Sequence, residues 1–233
     1  MAQSPGKIID LPELRNKKRV FVDRADAGEV LADMLKDYQH SSALIMAIPA
    51  GGVPVALSMA QQLDLAVSVA VVSKITLPWN TEAGYGAVAF DGTVRLNDSL
   101  LPRLGLTREQ IDQGIHHTRQ KVQHRVDRFS QKLPFPNLKN KHVFLVDDGL
   151  ASGFTLLTAV EAMKKAGVGT LNIAVPTGHL ESLHRVSEQV NAIYCPNTRK
   201  GFIFAVADAY ERWSDIREEE LFEMINGLGS SIT

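Results

Sequence analysis

The 233-residue sequence is poor in cysteine, in excess charge of either sign and in long apolar runs, each of which marks a specialised class of protein. It has one cysteine, Cys195, so an internal disulfide and a thiolate metal site are both excluded. Its 25 Lys and Arg residues are balanced by 26 Asp and Glu residues, and this neutrality argues against binding to bulk nucleic acid or to an acidic membrane. No apolar run reaches the roughly 18 residues of a membrane span. We therefore expect a soluble protein of the reducing cytoplasm.

The remaining composition is that of a globular domain. Apolar residues make up 45% of the chain and charged residues 22%, and no internal repeat or low-complexity linker interrupts it. Short apolar runs alternate with helical segments, as in an α/β doubly wound sheet of mostly parallel strands. We expect one domain over residues 1–233. The predicted strands are 43–48, 67–72, 142–146, 171–175 and 190–194, and the predicted helices include 53–63, 153–166 and 179–189.

Three segments depart from this alternation. Residues 1–20 are polar, contain two prolines and are expected to be irregular. Residues 75–97 form an insertion with strand-like pieces at 85–90 and 93–96 around an Asp-Gly turn. Residues 107–133 predict one long polar helix with Thr107 as N-cap and Gln110 completing a capping box. Its exposed surface suggests a homodimer.

The strongest motif is the run from Val143 to Thr155. Four apolar residues predict a buried strand, and Asp147 and Asp148 follow at its carboxyl end, where open α/β sheets bind ligands. A loop of small residues then opens a helix, whose amides and dipole suit a phosphate. Paired acids beside a phosphate cradle fit a ribose 5-phosphate; the alternative is an ordinary strand–turn–helix with an Asp N-cap. The loop residues are Ala151, Ser152, Gly153, Phe154 and Thr155.

This run resembles the phosphoribosyl pyrophosphate (PRPP) motif of type I phosphoribosyltransferases. Further segments, Phe21–Gly28, Ile48–Ala56 and Gly84–Ala89, look like a poorly characterised bacterial and archaeal subgroup, and the resemblance runs from about residue 21 to 213. It implies a core of about 20–200 with a flexible hood made of 75–97 and 200–233. It also implies that Asp147 and Asp148 hold the ribose hydroxyls, directly or through Mg²⁺, while residues 151–155 hold the 5-phosphate.

A second motif, Pro49-Ala50-Gly51-Gly52, ends the first apolar strand. Its exposed amides could take an anion, and by resemblance it is the pyrophosphate loop. The subgroup usually carries Arg where this chain has Ala50. Lys74, placed at the end of the 67–72 strand, is a second candidate for pyrophosphate contact. The alternatives are a glycine turn that serves only packing and a solvated strand end.

Weaker candidates lie outside these motifs. By resemblance, residues 75–97 form a mobile hood loop that excludes water, with Glu82 and Tyr85 as candidates; the alternative is a surface hairpin. The aromatic run 201–213 could stack a planar base or form an edge strand. The histidines of the long helix could bind metal or RNA, but a solvated face explains them better. They are His116, His117 and His124.

The combined reading is an enzyme that binds PRPP and Mg²⁺ and transfers ribose 5-phosphate to a nitrogenous base, releasing pyrophosphate. Lys74, Asp147 and Asp148 are its candidate catalytic residues, and its partners are small molecules. Ala151 stands where the hypoxanthine–guanine enzymes have an Asp, which argues against a 6-oxopurine as the accepting base. The alternative, favoured by Ala50, is a non-catalytic PRPP- or nucleotide-binding regulatory protein. No Gly-x-x-x-x-Gly-Lys-Ser/Thr run is present, which disfavours a P-loop phosphoryl transferase.

Overall fold

The centre of the fold is a six-stranded sheet in which every neighbouring pair is parallel. The computed structural model describes residues 5–201 and 203–228, so predictions on 1–4, Phe202 and 229–233 lie outside the described residues. The doubly wound, mostly parallel sheet is confirmed.

The strands are β1 (Lys7–Ile9), β2 (Leu44–Ala47), β3 (Ala66–Val69), β4 (Val72–Leu77), β5 (Asn80–Ala89), β6 (Val94–Leu96), β7 (His142–Val146), β8 (Thr170–Ala174), β9 (Thr177–His179), β10 (Ala192–Tyr194) and β11 (Asn197–Arg199). The helices are α1 (Arg24–Met34), α2 (Gly52–Leu63), α3 (Leu101–Leu104), α4 (Arg108–Ser130), α5 (Phe154–Lys165), α6 (Leu180–Ser187) and α7 (Glu218–Leu228).

Strand β7 explains why the core runs read as continuously apolar. The strand order is β1-β10-β8-β7-β2-β3, which places β7 inside the sheet between β8 and β2. Val143 and Leu145 pack into the hydrophobic cluster of α5 and α6, whereas Phe144 and Val146 pack into the cluster of α1 and α2. Successive side chains point to opposite faces and both faces are covered, so Val143–Val146 are all apolar, and the polar His142 lies at the less buried start of the strand. Among the described residues, no helix is long and apolar enough to cross a membrane.

A separate three-stranded antiparallel sheet is formed by β4, β5 and β6. The predicted strand pieces at 85–90 and 93–96 are confirmed, and the 75–97 insertion is largely strand. The prediction of one strand over 67–72 is wrong. β3 pairs with β2 in the central sheet, while β4 pairs antiparallel with β5, so the apolar run contains a change of sheet that hydrophobicity alone does not mark.

The long polar helix is confirmed as α4. Thr107 Oγ1 accepts from the Gln110 backbone N–H, and the Gln110 side chain accepts from the Thr107 N–H, which completes the capping box. One stripe of the helix is buried, including Val122 and Phe129, and the opposite side is exposed. The three helix histidines lie outside the buried stripe.

The two ends of the described chain differ most from the sequence predictions. Residues 7–9 are the edge strand β1, paired in parallel with β10, so the prediction of an irregular segment over 1–20 is wrong there. The aromatic run 201–213 forms no edge strand in its described part; Val206–Ala209 is a 3-10 helix. The sequence patterns do not predict helices α1 and α7.

Candidate active site

The two motif acids lie directly beyond β7, at the carboxyl edge of the central sheet. Asp147 Oδ1 accepts a hydrogen bond from the Asp148 backbone N–H at 2.9 Å. Burial raises the pKa of the Asp147 carboxyl well above its usual range, and the adjacent Asp148 charge raises it further. Burial also raises the pKa of Asp148, although the Arg24 charge acts in the opposite direction. Carboxylates held this way gain stability from a ligand that donates hydrogen bonds or brings positive charge.

Arg24 supplies the nearest positive charge. It is the first residue of α1, which begins after Asp23, whose side chain accepts hydrogen bonds from two amides of the first turn. Its Nε donates to Asp148 Oδ2 at 2.9 Å, and both side chains are largely buried. In the sequence, Arg24 belongs to a segment that resembles the family, but no role is predicted for it. A charged residue beside a helix N-cap is too common a pattern to single it out.

The 49–52 loop meets the acids because β2 and β7 are neighbouring parallel strands. The peptide bond between Pro49 and Ala50 is cis. A Cβ added at Gly51 would collide with the Asp148 carboxylate, and one added at Gly52 would lie 2.5 Å from the Val146 carbonyl oxygen. Only glycine therefore permits this approach at both positions. The two motifs, distant in sequence, share one edge of the sheet.

The 151–155 loop connects the acids to α5. Gly153 has φ of 73°, the left-handed region that favours glycine, and it provides no side-chain cap for the helix. Ser152 Oγ lies 3.4 Å from the Phe154 amide, and Thr155 is half-buried in the first turn. Ala151 and Ser152 are exposed. First-turn amides without an N-cap side chain, flanked by two hydroxyls, can bind an anion.

The candidates from the 75–97 insertion and its border do not lie where the sequence predicts. Lys74 is an exposed residue inside β4, so its predicted place at the end of a 67–72 strand is wrong. Its side chain lies over Gly84 of β5, where an added Cβ would be 3.0 Å from the Lys74 Cδ. Tyr85 is 1% exposed and its hydroxyl packs against Gly114 of α4, which makes it a core residue and not an exposed flap residue. The Glu82 side chain lies outside the described residues.

The C-terminal segment closes over the acids from the other side. The Tyr210 hydroxyl donates to the Asp148 backbone carbonyl at 2.6 Å, and burial raises the pKa of Tyr210. The Trp213 ring lies against the Arg24 guanidinium, 3.8 Å from Cζ to the ring centroid. A Cβ at Gly149 would lie 2.5 Å from Val206. Two aromatic residues of the 201–213 run thus lie at the site, although they contact the protein itself in this structure.

Mg²⁺ is the metal that the motif implies. No group of three or more His, Cys, Asp or Glu side chains among the described residues could form a metal centre by itself, and this holds for the α4 histidines as well. The Asp147–Asp148 pair nevertheless fits Mg²⁺, because this ion commonly takes one or two carboxylates and fills its other positions with water and substrate phosphates. The buried carboxylates, whose mutual repulsion raises the Asp147 pKa, suit a divalent cation.

Comparison with known proteins defines the class. A family model described as the phosphoribosyl transferase domain matches residues 91–211, more than half of the chain. Two Mycobacterium tuberculosis proteins, from strains CDC 1551 and H37Rv and each named "Putative phosphoribosyl transferase", are 29% identical over 208 residues, which cover 89% of this chain and 47% of theirs. The chain thus spans about half the length of these curated relatives.

A solved structure gives the same answer for the fold. The protein TT1426 of Thermus thermophilus superposes with a TM-score of 0.72 at 25% identity, covering 89% of this chain and 98% of that one. Together with the matching family model, the paired acids and the glycine loops on adjacent strands, this places the chain in the phosphoribosyl transferase family. The resemblance stated from the sequence is confirmed.

Proposed function

We propose that this chain binds PRPP with Mg²⁺ and transfers the ribose 5-phosphate group to a nitrogenous base, releasing pyrophosphate. The observation that carries the proposal is the meeting of the two motif loops: Gly51 packs directly on the Asp148 carboxylate. The loop after β7 offers carboxylates that accept hydrogen bonds from a diol, followed by amides for a phosphate, and the loop after β2 brings its glycine backbone next to these carboxylates. PRPP has its diol between a 5-phosphate and a pyrophosphate, so its three groups match the three parts of the site.

The roles follow from the chemistry of each segment. Asp147 and Asp148 accept hydrogen bonds from the ribose hydroxyls, directly or through Mg²⁺. Residues 151–155 hold the 5-phosphate through the first-turn amides of α5 and two hydroxyls. The 50–52 loop binds the pyrophosphate, with Lys74 as a further candidate contact.

In the proposed reaction the bond between ribose C1 and the pyrophosphate oxygen breaks, and its electron pair leaves with the pyrophosphate. The lone pair of the base nitrogen forms the new C1–N bond, and the proton of that nitrogen passes to solvent. The protein contributes mainly by positioning and by fixed dipoles. Bound Mg²⁺ would neutralise part of the charge on the pyrophosphate. The 75–97 insertion and the 201–213 segment are proposed to act as the hood that excludes water, closing when the substrate binds.

The proposal extends to the setting of the protein. Its partners are PRPP and a nucleobase, with no nucleic acid or membrane, and its location is the cytoplasm. Residues 1–233 act as one phosphoribosyltransferase-like domain, and the exposed side of α4 offers a surface for a homodimer.

One observation favours the second candidate, a non-catalytic PRPP- or nucleotide-binding regulatory protein. The loop from Pro49 to Val53 contains no charged side chain, and Ala50 packs against the hydrophobic core. A loop with backbone donors alone can bind an anion without strongly stabilising its departure.

The test is a pyrophosphate-release assay with PRPP and Mg²⁺ across the common bases, combined with calorimetric PRPP binding. The double variant Asp147→Asn/Asp148→Asn should weaken PRPP binding by about 1–3 kcal/mol, the scale of lost charged hydrogen bonds. Asp64→Asn, an exposed acid at a helix end, is the matched control. Unchanged affinity in the double variant would overturn the ribose assignment. Binding by wild type without release from any base would support the regulatory candidate.

A further inference from the structure

The loop proposed to bind pyrophosphate, residues 49–53, has no positively charged side chain of its own. Pyrophosphate carries several negative charges, and a cation beside it stabilises both its binding and its departure. The loop offers none, since its residues are Pro, Ala, Gly, Gly and Val. A cation for this anion must therefore come from another element of the fold.

Arg24 lies beside that loop. Its Nε donates to Asp148 Oδ2, and this same oxygen is the atom closest to a Cβ built on Gly51. The guanidinium and the loop backbone thus both lie next to the same carboxylate oxygen. The Arg24 side chain is only 11% exposed, so its charge is less screened than that of a surface arginine.

The guanidinium is also held in place from two further directions. Nη1 donates to the Ser214 carbonyl at 2.9 Å, and the Trp213 ring lies 3.8 Å from Cζ. Stacking on tryptophan and a bond to a fixed carbonyl restrain both the plane and the position of the group. An arginine restrained in advance loses little conformational freedom when it binds an anion.

One nitrogen of this arginine has no hydrogen-bond acceptor among the described residues. In the Arg125–Glu218 pair, Nε and Nη2 donate to the two oxygens of one carboxylate at 3.0 and 2.8 Å. Arg24 uses only Nε toward Asp148, and within residues 5–201 and 203–228 its Nη2 donates no hydrogen bond. Nε and Nη2 lie on the same edge of a guanidinium, so the half-used edge is the one that faces the Asp148 carboxylate, on which the loop packs.

We propose that Arg24 is the cation of the pyrophosphate half of the site, with Nη2 donating to a pyrophosphate oxygen while Nε stays on Asp148. This inference rests on the proposed PRPP site and adds a substrate contact to it. Arg24 would join the two halves of the site, because one guanidinium would touch the carboxylate that binds the ribose and the group that leaves it. No bond is made or broken at Arg24.

The test separates pyrophosphate from ribose 5-phosphate as two probes, each titrated into the protein with Mg²⁺ by calorimetry. Arg24→Gln should weaken pyrophosphate binding roughly 10- to 100-fold, the loss of a charged hydrogen bond, and change ribose 5-phosphate binding less than about threefold. Arg24→Lys keeps the charge without the fork and should fall between wild type and Gln. Arg125→Gln, which breaks a bidentate pair away from the loop, is the matched control and should alter neither probe.

The outcomes distinguish the alternatives. Equal weakening of both probes, or weakening of ribose 5-phosphate alone, would mean that Arg24 only positions Asp148 and would overturn the inference. Unchanged pyrophosphate binding would overturn it as well. If wild type binds pyrophosphate through Arg24 but does not bind ribose 5-phosphate, the proposed function fails and the anion role of Arg24 stands. Circular dichroism checks folding, and if Arg24→Gln does not fold, the Arg24→Lys titrations decide.

Discussion

The loop after β7 and the loop after β2 leave neighbouring parallel strands at the same edge of the sheet, yet they are built differently. The first has two carboxylates, two hydroxyls and a left-handed glycine at position 153. The second has no side chain that can donate or accept a hydrogen bond. If both loops bind anions as proposed, the first does so with side chains as well as backbone, whereas the second provides backbone only and takes its charge from another part of the fold.

The space between the loops explains this difference. The Gly51 backbone packs on the Asp148 carboxylate, and Gly52 packs on the β7 backbone, so neither position can carry a side chain. Ala50, the remaining position, packs its methyl group against the hydrophobic core. Close approach to the acids therefore excludes side chains at Gly51 and Gly52, and Ala50 brings only a methyl group. The cation that we propose for this loop belongs to a different element, because Arg24 of α1 pairs with Asp148 beside it.

The most severe way to break the arrangement is Gly51→Ala. Its Cβ would collide with the Asp148 carboxylate, so either the acid or the loop must move. We expect pyrophosphate and PRPP binding to weaken, and turnover of PRPP, if the chain is an enzyme, to fall about 100-fold, since misplacement of about 1 Å has effects of this order on rate. Gly227→Ala, at a helix position where a Cβ meets nothing within 4 Å, is the control and should bind normally. Near-normal binding by Gly51→Ala would contradict the packing of the two loops.

A gain of function would sharpen the comparison. Ala50→Arg adds a cation to the loop that lacks one, and if the chain is an enzyme, turnover of PRPP should rise about 10-fold because the charge acts mainly as pyrophosphate leaves. Ala50→Met, similar in length but uncharged, controls for packing. Tighter PRPP binding with no release from either protein would instead favour the regulatory candidate.

The smallest effect is expected from removing a side-chain donor of the 151–155 loop. Thr155→Val keeps the shape of the residue and removes its hydroxyl, so ribose 5-phosphate binding should weaken about fivefold, the value of a typical single hydrogen bond. Pyrophosphate binding should not change. Thr158→Val, one turn along the same helix, removes a hydroxyl bonded to the Phe154 carbonyl and controls for helix stability. A loss at both probes would mean that the two loops do not act separately.

Much of this site could be predicted from the sequence because local patterns determine it. Continuous apolar runs identify buried parallel strands, and the carboxyl ends of such strands meet at one edge, so the acids and the glycine loop are expected to be neighbours. Arg24 could not be found in this way. Its role depends on a contact with Asp148, distant in sequence, and no local pattern encodes which helix start faces which strand end.

Two further differences from the sequence predictions have equally specific causes. Lys74 is predicted at a strand end because residues 67–72 read as one apolar run, whereas the chain changes sheets between Val69 and Val72. Tyr85 is predicted on a mobile hood loop because the resemblance assigns residues 75–97, with their glycines, to that loop. Those glycines instead allow β5 to pack closely, and Tyr85 is buried against α4.

The pairing of β1 with β10 has a consequence for the order in which the chain can fold during synthesis. Ile8 pairs with Ile193, and the Asn197 side chain donates to the Leu14 carbonyl, so the long-range partners of residues 6–16 lie near residues 187–198. Residues 6–16 must therefore wait until residues 187–198 have been synthesised. Pairing between such distant segments is slow, because the intervening chain must close a long loop first. The first strand of the sequence is thus among the last parts of the sheet that can form, and until then the edge of β10 that it covers stays open to other strands.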